Sequence, residues 1–401
     1  MTHNLVYSRS PWTVFLLFLR LGLTSFGGPT AHLSYFYDEF VTRRRWLTSQ
    51  NYVDLVALCQ FLPGPASSQV GMAIGLFQSG YTGALAAWLG FTLPSAFVLI
   101  LFALGLSYYE AEISMNVLHA LRIAAVAIVA QAVWTMFRKL YVNIRWAILV
   151  TSTTCFIFYV PSALGQASII IIAALIGLFI FKPSQKTVAK TLPLSISVRA
   201  ASLWLALFLG LLIVLPLLAT TLSNQSLSVA AAFYRTGALV FGGGHVILPL
   251  LQTEVVSSGW VSNELFLTGY GATQAVPGPL FTFAAFLGAV INQGPSGWPG
   301  GMLCLLAIFA PSFLLILGAL PFWEILRRNM RIQAAFLGIN AAVVGLLLAA
   351  FYQPVWISTI HNLQDLALAF FALSALVYWR LPAWLLVVGS GTIGWLFDVI
   401  L

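Results

Sequence analysis

The sequence predicts an all-α polytopic membrane protein made of two homologous halves, and three observations carry that reading. Of its 401 residues, 60% are apolar and only 7% are charged, against about a quarter charged in a soluble domain. Its apolar runs are near the ~20 residues that cross a hydrocarbon core. One set of motifs occurs twice, in the same order. A chain so poor in charge cannot cover a water-facing surface, so its outer face must meet lipid, where charge is costly.

The net charge of +8 does not point to nucleic acid. Lys and Arg lie between apolar runs rather than on one face, the pattern of cytoplasmic loops in a membrane protein. The first apolar run leads into a polar, glycine-rich stretch without a small-residue cleavage site, so no signal peptide is expected. Cys59, Cys155 and Cys304 have apolar neighbours and no metal-ligand spacing, and read as packing residues. No phosphate-binding GxxxxGK[ST] stretch occurs, which argues against ATP as the energy source, and no cofactor is expected.

The duplication is explicit. Phe18 to Gly28 is FLRLGLTSFGG and Phe233 to Gly243 is FYRTGALVFGG, both fitting F-x-R-x-G-x-x-x-F-G-G. Downstream, Glu39 matches Glu254 and Trp46 matches Trp260. QFLPGP (Gln60 to Pro65) matches QAVPGP (Gln274 to Pro279), and Pro94-Ser95 matches Pro311-Ser312. The chain therefore divides into a first repeat at 1–181, a basic linker with one extra apolar span at 182–228, and a second repeat at 229–401.

Full spans are expected at about 84–109, 116–137, 144–160 and 164–181, at 200–222, and at about 300–321, 332–351, 363–379 and 382–400. Equivalent loops carry opposite charge. Glu110 and Glu112 in the first half face Arg327, Arg328 and Arg331 in the second. Arg138, Lys139 and Arg145 face a loop at about 352–362 that has no Lys or Arg. Positively charged loops stay inside, so the halves are expected as inverted-topology repeats, with the span at 200–222 supplying the flip. Many secondary transporters are built this way. The N-terminus is expected in the cytoplasm and the C-terminus outside, in a multi-pass membrane protein.

The motif segments are shorter, and their glycines and prolines break helices. Each motif sits either at the tip of a re-entrant hairpin, which keeps Arg43, Arg44 and Arg45 on the side of Arg9, or in a kinked full span, which puts them outside. Broken helices at membrane depth require protein or a water-filled cavity around them. Their open N–H groups and the dipole of the following helix make an anion site. Candidate ligands are the glycines Gly27, Gly28, Gly64, Gly242, Gly243 and Gly278, the hydroxyls of Thr24, Ser25, Ser67 and Ser68, the amides of Gln60 and Gln274, and the guanidinium groups of Arg20, Arg122 and Arg235. The competing reading is structural: glycines for close packing, arginines paired with Glu39, Glu254 or helix carbonyls. His32, Glu39, His245 and Glu254 are candidates for proton coupling. The five histidines form no metal constellation.

FLRLGLTSFGGPTAHLSYFYDEFV with RRRWLTSQNYVDLVALCQFLPGP, and FYRTGALVFGGGHVILPLLQTEVV with QAVPGPLF, resemble the chromate ion transporter (CHR) family in its long-chain, two-domain form. The likeness covers almost the whole chain. It implies efflux of chromate, chromate resistance, and use of the membrane potential or the proton gradient. It also implies roles for Arg20, Gly22, Phe26, Gly27, Gly28, Gln60, Pro63, Gly64 and Pro65 and their second-half counterparts. The triple arginine at 43–45 has no counterpart and Ser67-Ser68 gives way to Phe281-Thr282, so one asymmetric site is expected, with the first half more polar. The reading is a secondary transporter exporting chromate. Sulfate or a related oxyanion as substrate, or an anion channel of the same architecture, are the alternatives. An enzyme is disfavoured because no nucleophile–base pair lies near the motifs. Lipid-facing small residues would allow a homodimer without requiring one.

Overall fold

The computed structural model describes residues 9–108, 115–139, 144–181 and 197–400. Glu110, Glu112 and most of the basic linker lie outside these residues. Among them the chain is helical without a strand. The first half runs α1 (Pro11–Thr24), α2 (Gly28–Tyr37), α3 (Ser49–Phe61), α4 (Ala66–Tyr108), α5 (Met115–Lys139), α6 (Ile144–Tyr159) and α7 (Ala163–Ile180). The linking span is α8 (Val198–Thr221). The second half runs α9 (Gln225–Leu239), α10 (Ile247–Val255), α11 (Asn263–Thr273), α12 (Phe283–Val290), α13 (Gly297–Ala319), α14 (Trp323–Arg328), α15 (Met330–Ala350), α16 (Leu363–Val377) and α17 (Ala383–Ile400).

Helix starts are set by side-chain caps that the duplication preserves. Ser10, and Asn224 one position from its repeat equivalent, accept from the backbone N–H of Thr13 and Leu227; Thr48 and its counterpart Ser262 accept from Asn51 and Leu265. Each satisfies an amide that the first helical turn leaves open. The anticipated spans all form as helices. By length and hydropathy six helical segments suffice to cross a membrane: α4, α5, α7, α8, and the α13 and α15 segments. At 16 and 15 residues, α6 and α16 fall short.

The short segments fold back on one another. Phe18 of α1 meets Phe36 and Phe40, at 5.5 and 5.0 Å between ring centres. Tyr37 donates to Ser49 Oγ at 3.1 Å, so α3 starts where α2 ends. The first arm of α4 stops at Ser79 and Gly80 (φ 65°, ψ −153°). There Ser79 Oγ donates to the Arg9 carbonyl at 2.6 Å, returning the chain to the start of α1.

The second arm of α4 and its counterpart α13 run antiparallel through the centre: Phe97 packs on Trp298 and Trp88 on Phe309, at 5.2 and 5.6 Å. The outer helices exchange partners. First-half α6 and α7 pack on α15, and second-half α16 and α17 pack on α5. Neither half therefore closes its own core. Small residues make the closest crossings. A Cβ on Gly177 would lie 2.5 Å from the Ala334 carbonyl, and one on Gly338 would strike the backbone of Ala173. In lipid, where apolar burial gives helices no drive to associate, such approach supplies the packing energy.

Val at Gly338 should cost about 1–3 kcal/mol as an overpacked contact, read as a lowered melting temperature in detergent. Val at Gly105, whose Cβ would meet nothing within 4 Å, should leave the melting temperature near that of the parent.

Candidate functional site

All four motif turns use glycine in the left-handed region. φ is 100° and 76° at Gly27 and Gly28, 78° and 136° at Gly242 and Gly243, and 116° and 110° at Gly64 and Gly278. An L-residue there pays roughly 1–2 kcal/mol, which explains glycine at equivalent positions in both halves. α1 ends at Thr24 before the first turn and α2 begins at Gly28 after it. α3 ends at Phe61 and α4 begins at Ala66 around Pro63-Gly64-Pro65.

The turns of one half bind those of the other. Gly64 N–H donates to the Val240 carbonyl at 2.7 Å, and Gly278 N–H donates to the Ser25 carbonyl at 3.0 Å. Ser25 and Val240 are repeat equivalents, as are Gly64 and Gly278, so the two bonds are one interaction made twice. Side chains repeat the pattern: Ser312 lies against Gly64 and its counterpart Ser95 against Gly278, where a Cβ would collide with either hydroxyl.

A cavity of about 550 Å³ opens beside one of these crossings. Gly27, Gly28 and Pro29 line it at the start of α2, and Gly278 and Leu280 line it from the second half. Arg138 of α5 and Arg380, between α16 and α17, face it with His245. Gln131, Thr135, Thr273 and Gln274 add hydrogen-bonding groups. No carboxylate belongs to this lining. Two guanidinium groups, amide donors and the N-terminal end of α2 together favour a compact anion. Among the described residues no group of three His, Cys, Asp or Glu could hold a metal ion.

The sequence candidates fall into three sets. Gly27, Gly28, Gln274, Gly278 and His245 line the cavity, and His245 Nδ1 lies 2.9 Å from the Tyr270 hydroxyl. Ser25, His32, Ser67 and Ser68 are buried under the first turns. His32 Nε2 donates to the Ser25 carbonyl at 3.2 Å, and its Nδ1 lies 3.4 Å from Ser67 Oγ. Gly64 is buried with them. The Ser25 and Ser68 hydroxyls have no partner.

The third set is outside the cavity lining. Arg20 is exposed, and its backbone carbonyl accepts from Thr24. Gln60 borders a separate hollow beside Tyr37 and Tyr52. Gly242 and Gly243 do not reach the lining. Arg235 forms a two-pronged pair with Glu254, at 2.7 and 2.6 Å. In the first half the equivalent Glu39 is taken by Arg44 at 2.7 Å and Arg43 at 3.6 Å, not by Arg20. Arg122 lies 3.5 Å from Glu264.

Arg138 and Arg380, the two cations of the cavity, escaped the motif search. Arg138 reads in sequence as a loop charge, and Arg380 sits between apolar runs with no motif beside it. Only the return of α16 along α5, where Gln131 Nε2 donates to the Leu376 carbonyl at 3.3 Å, brings them together.

Comparison with known proteins agrees with the duplicated layout. The family described as chromate transporter matches residues 12–178 and again 227–395. A chromate transport protein of Pseudomonas aeruginosa is 28% identical over 96% of this chain and 91% of its own length. One of Cupriavidus metallidurans is 25% identical over 94% and 91%. A probable chromate transport protein of Synechococcus elongatus is 28% identical over 91% and 88%. No solved structure matches. With both halves matched and relatives aligned over nearly their full length, the chain belongs to the chromate transporter family.

Proposed function

We propose that this protein is a secondary transporter that exports chromate from the bacterial cytoplasm through the cavity between the first FGG turn and the second PGP turn, conferring chromate resistance. The observation that carries the proposal is a lining with two arginines, a histidine and no carboxylate. Chromate is a tetrahedral dianion whose oxygens accept hydrogen bonds, and guanidinium groups donate to such oxygens in pairs. The volume of about 550 Å³ exceeds one such ion and admits it with hydration water. Sulfate has the same shape and charge, so the same donors would serve it.

Charge placement supports a cavity that opens to the cytoplasm. The start of α1 and the turn at Ser79 share one end of the bundle. The second arm of α4 crosses from that end and α5 returns to it, carrying Arg138. Arg145 reaches the Ile180 carbonyl there at 3.2 Å. An end so rich in arginine belongs in the cytoplasm, and the cavity bordered by Arg138 and Arg380 then faces it. The antiparallel packing of α4 on α13 supports halves inserted in opposite senses. The contact of Phe18 with Phe36 supports a re-entrant first hairpin. A dianion leaving a negative-inside cell gains roughly 4.6 kcal/mol per 100 mV, enough to drive efflux without a proton. His245, in the lining, is the group best placed to add proton exchange.

Replacing Arg138 or Arg380 by Gln should each lower chromate uptake into inverted vesicles about tenfold or more, as loss of a charged hydrogen bond of about 1.5–3 kcal/mol predicts. Undiminished uptake in both variants would sink the site. Arg235→Gln should instead reduce the amount of folded protein, because it leaves the mostly buried Glu254 carboxylate without its two-pronged partner. With the potential kept and the pH gradient collapsed, uptake should persist; its loss would make proton exchange obligatory. Cysteines placed at 43–45 should react with impermeant reagents only from the cytoplasmic side, and periplasmic labelling would exclude the hairpin.

A further inference from the structure

A second cavity, of about 710 Å³, lies beside the first. It fills the crevice between α6 packed on α15 and α5 packed on α16, the seam left where the halves exchange outer helices. Its walls are mostly hydrocarbon, among them Val133, Phe137, Val150, Leu348, Phe370 and Leu373, with the hydroxyls of Thr151 and Ser374. Two of its four walls, α6 and α16, are the short spans. At 1.5 Å per residue they reach ~24 and ~22 Å, less than the ~30 Å hydrocarbon core. Lipid head groups must sink to meet them.

The polar groups of the lining point to what sinks. Arg138 borders both cavities. Trp146 is 3% exposed, and its indole N–H has no partner. Tyr378 lines the cavity and is largely exposed. A cation and an exposed tyrosine beside an apolar slot match a phosphate and an acyl chain in turn.

We propose that this crevice is a binding site for an anionic phospholipid of the leaflet at the arginine-rich end, with one acyl chain between α6 and α16 and the phosphate on Arg138. Arg138 borders both cavities, so a lipid phosphate there competes with an oxyanion in the first; the inference itself needs only that the chain spans a bilayer. The lipid neutralises a guanidinium beside hydrocarbon, which an apolar chain without an anionic head cannot do. It also fills a seam that has no side chains to close it.

The test is native mass spectrometry of the purified full chain with phosphatidylglycerol or phosphatidylethanolamine added. The parent protein should retain phosphatidylglycerol in preference. Ala147→Trp and Val150→Trp, which fill the crevice, should lower its retention about tenfold, or 1.4 kcal/mol. Arg138→Gln should abolish the preference between the two lipids. This last variant keeps the question answerable if the tryptophans fail to fold. Unchanged retention in folded, filled variants would overturn the proposal, as would an unchanged preference in Arg138→Gln. A dimer that turns to monomer on filling would assign the crevice to a second copy instead. None of these readouts involves chromate, so they stand or fall apart from the transport reading.

Discussion

The fold depends on pairing backbone amides inside the helical bundle. Away from water each unpaired N–H or C=O costs about 1–3 kcal/mol, and four glycine turns separate helices of this chain. The crossed bonds from Gly64 to Val240 and from Gly278 to Ser25 answer that cost. Each turn donates to a carbonyl just past the end of a helix in the other half, the Ser25 carbonyl accepting from His32 Nε2 as well. One half alone would leave the Gly64 and Gly278 N–H groups without these acceptors. The exchange of α6, α7, α16 and α17 between the halves makes the periphery depend on both halves as well.

Symmetry of the backbone does not extend to the side chains. Around Gly64 the first half places Ser67, Ser68 and Gln69, and the second half places Phe281, Thr282 and Phe283 at the matching positions. Thr282 satisfies itself on the Pro279 carbonyl at 2.7 Å, whereas the Ser68 hydroxyl and the Gln69 amide oxygen have no partner. The arginine–glutamate pairs diverge as well. Arg235 holds Glu254, but Glu39 is held by Arg44 and Arg43 rather than by Arg20. A duplicated frame thus carries one set of polar groups buried under the first turns and a different, cationic set around the cavity.

Much of this was legible in the residues. The glycines at 27, 28, 64, 242, 243 and 278 were readable because few other residues tolerate positive φ, and the break they impose follows from covalent geometry alone. The paired caps Ser10/Asn224 and Thr48/Ser262 are local in the same sense. Arg235 with Glu254 was visible as one of two readings of a matched pair. Arg138 and Arg380 were not, because 242 residues separate them in sequence and their meeting depends on α16 crossing into the other half.

By itself, the sequence determined a membrane-embedded helical chain, duplicated, with helix breaks at fixed glycines. These follow from composition and local backbone chemistry, which act within a few residues. Only the tertiary structure decided which turn meets which, that outer helices are exchanged, and that Arg138, Arg380 and His245 share a cavity while Arg20, Arg122 and Arg235 do not line it. Those outcomes rest on long-range packing of small residues and on crossed amide bonds, whose partners no local pattern names.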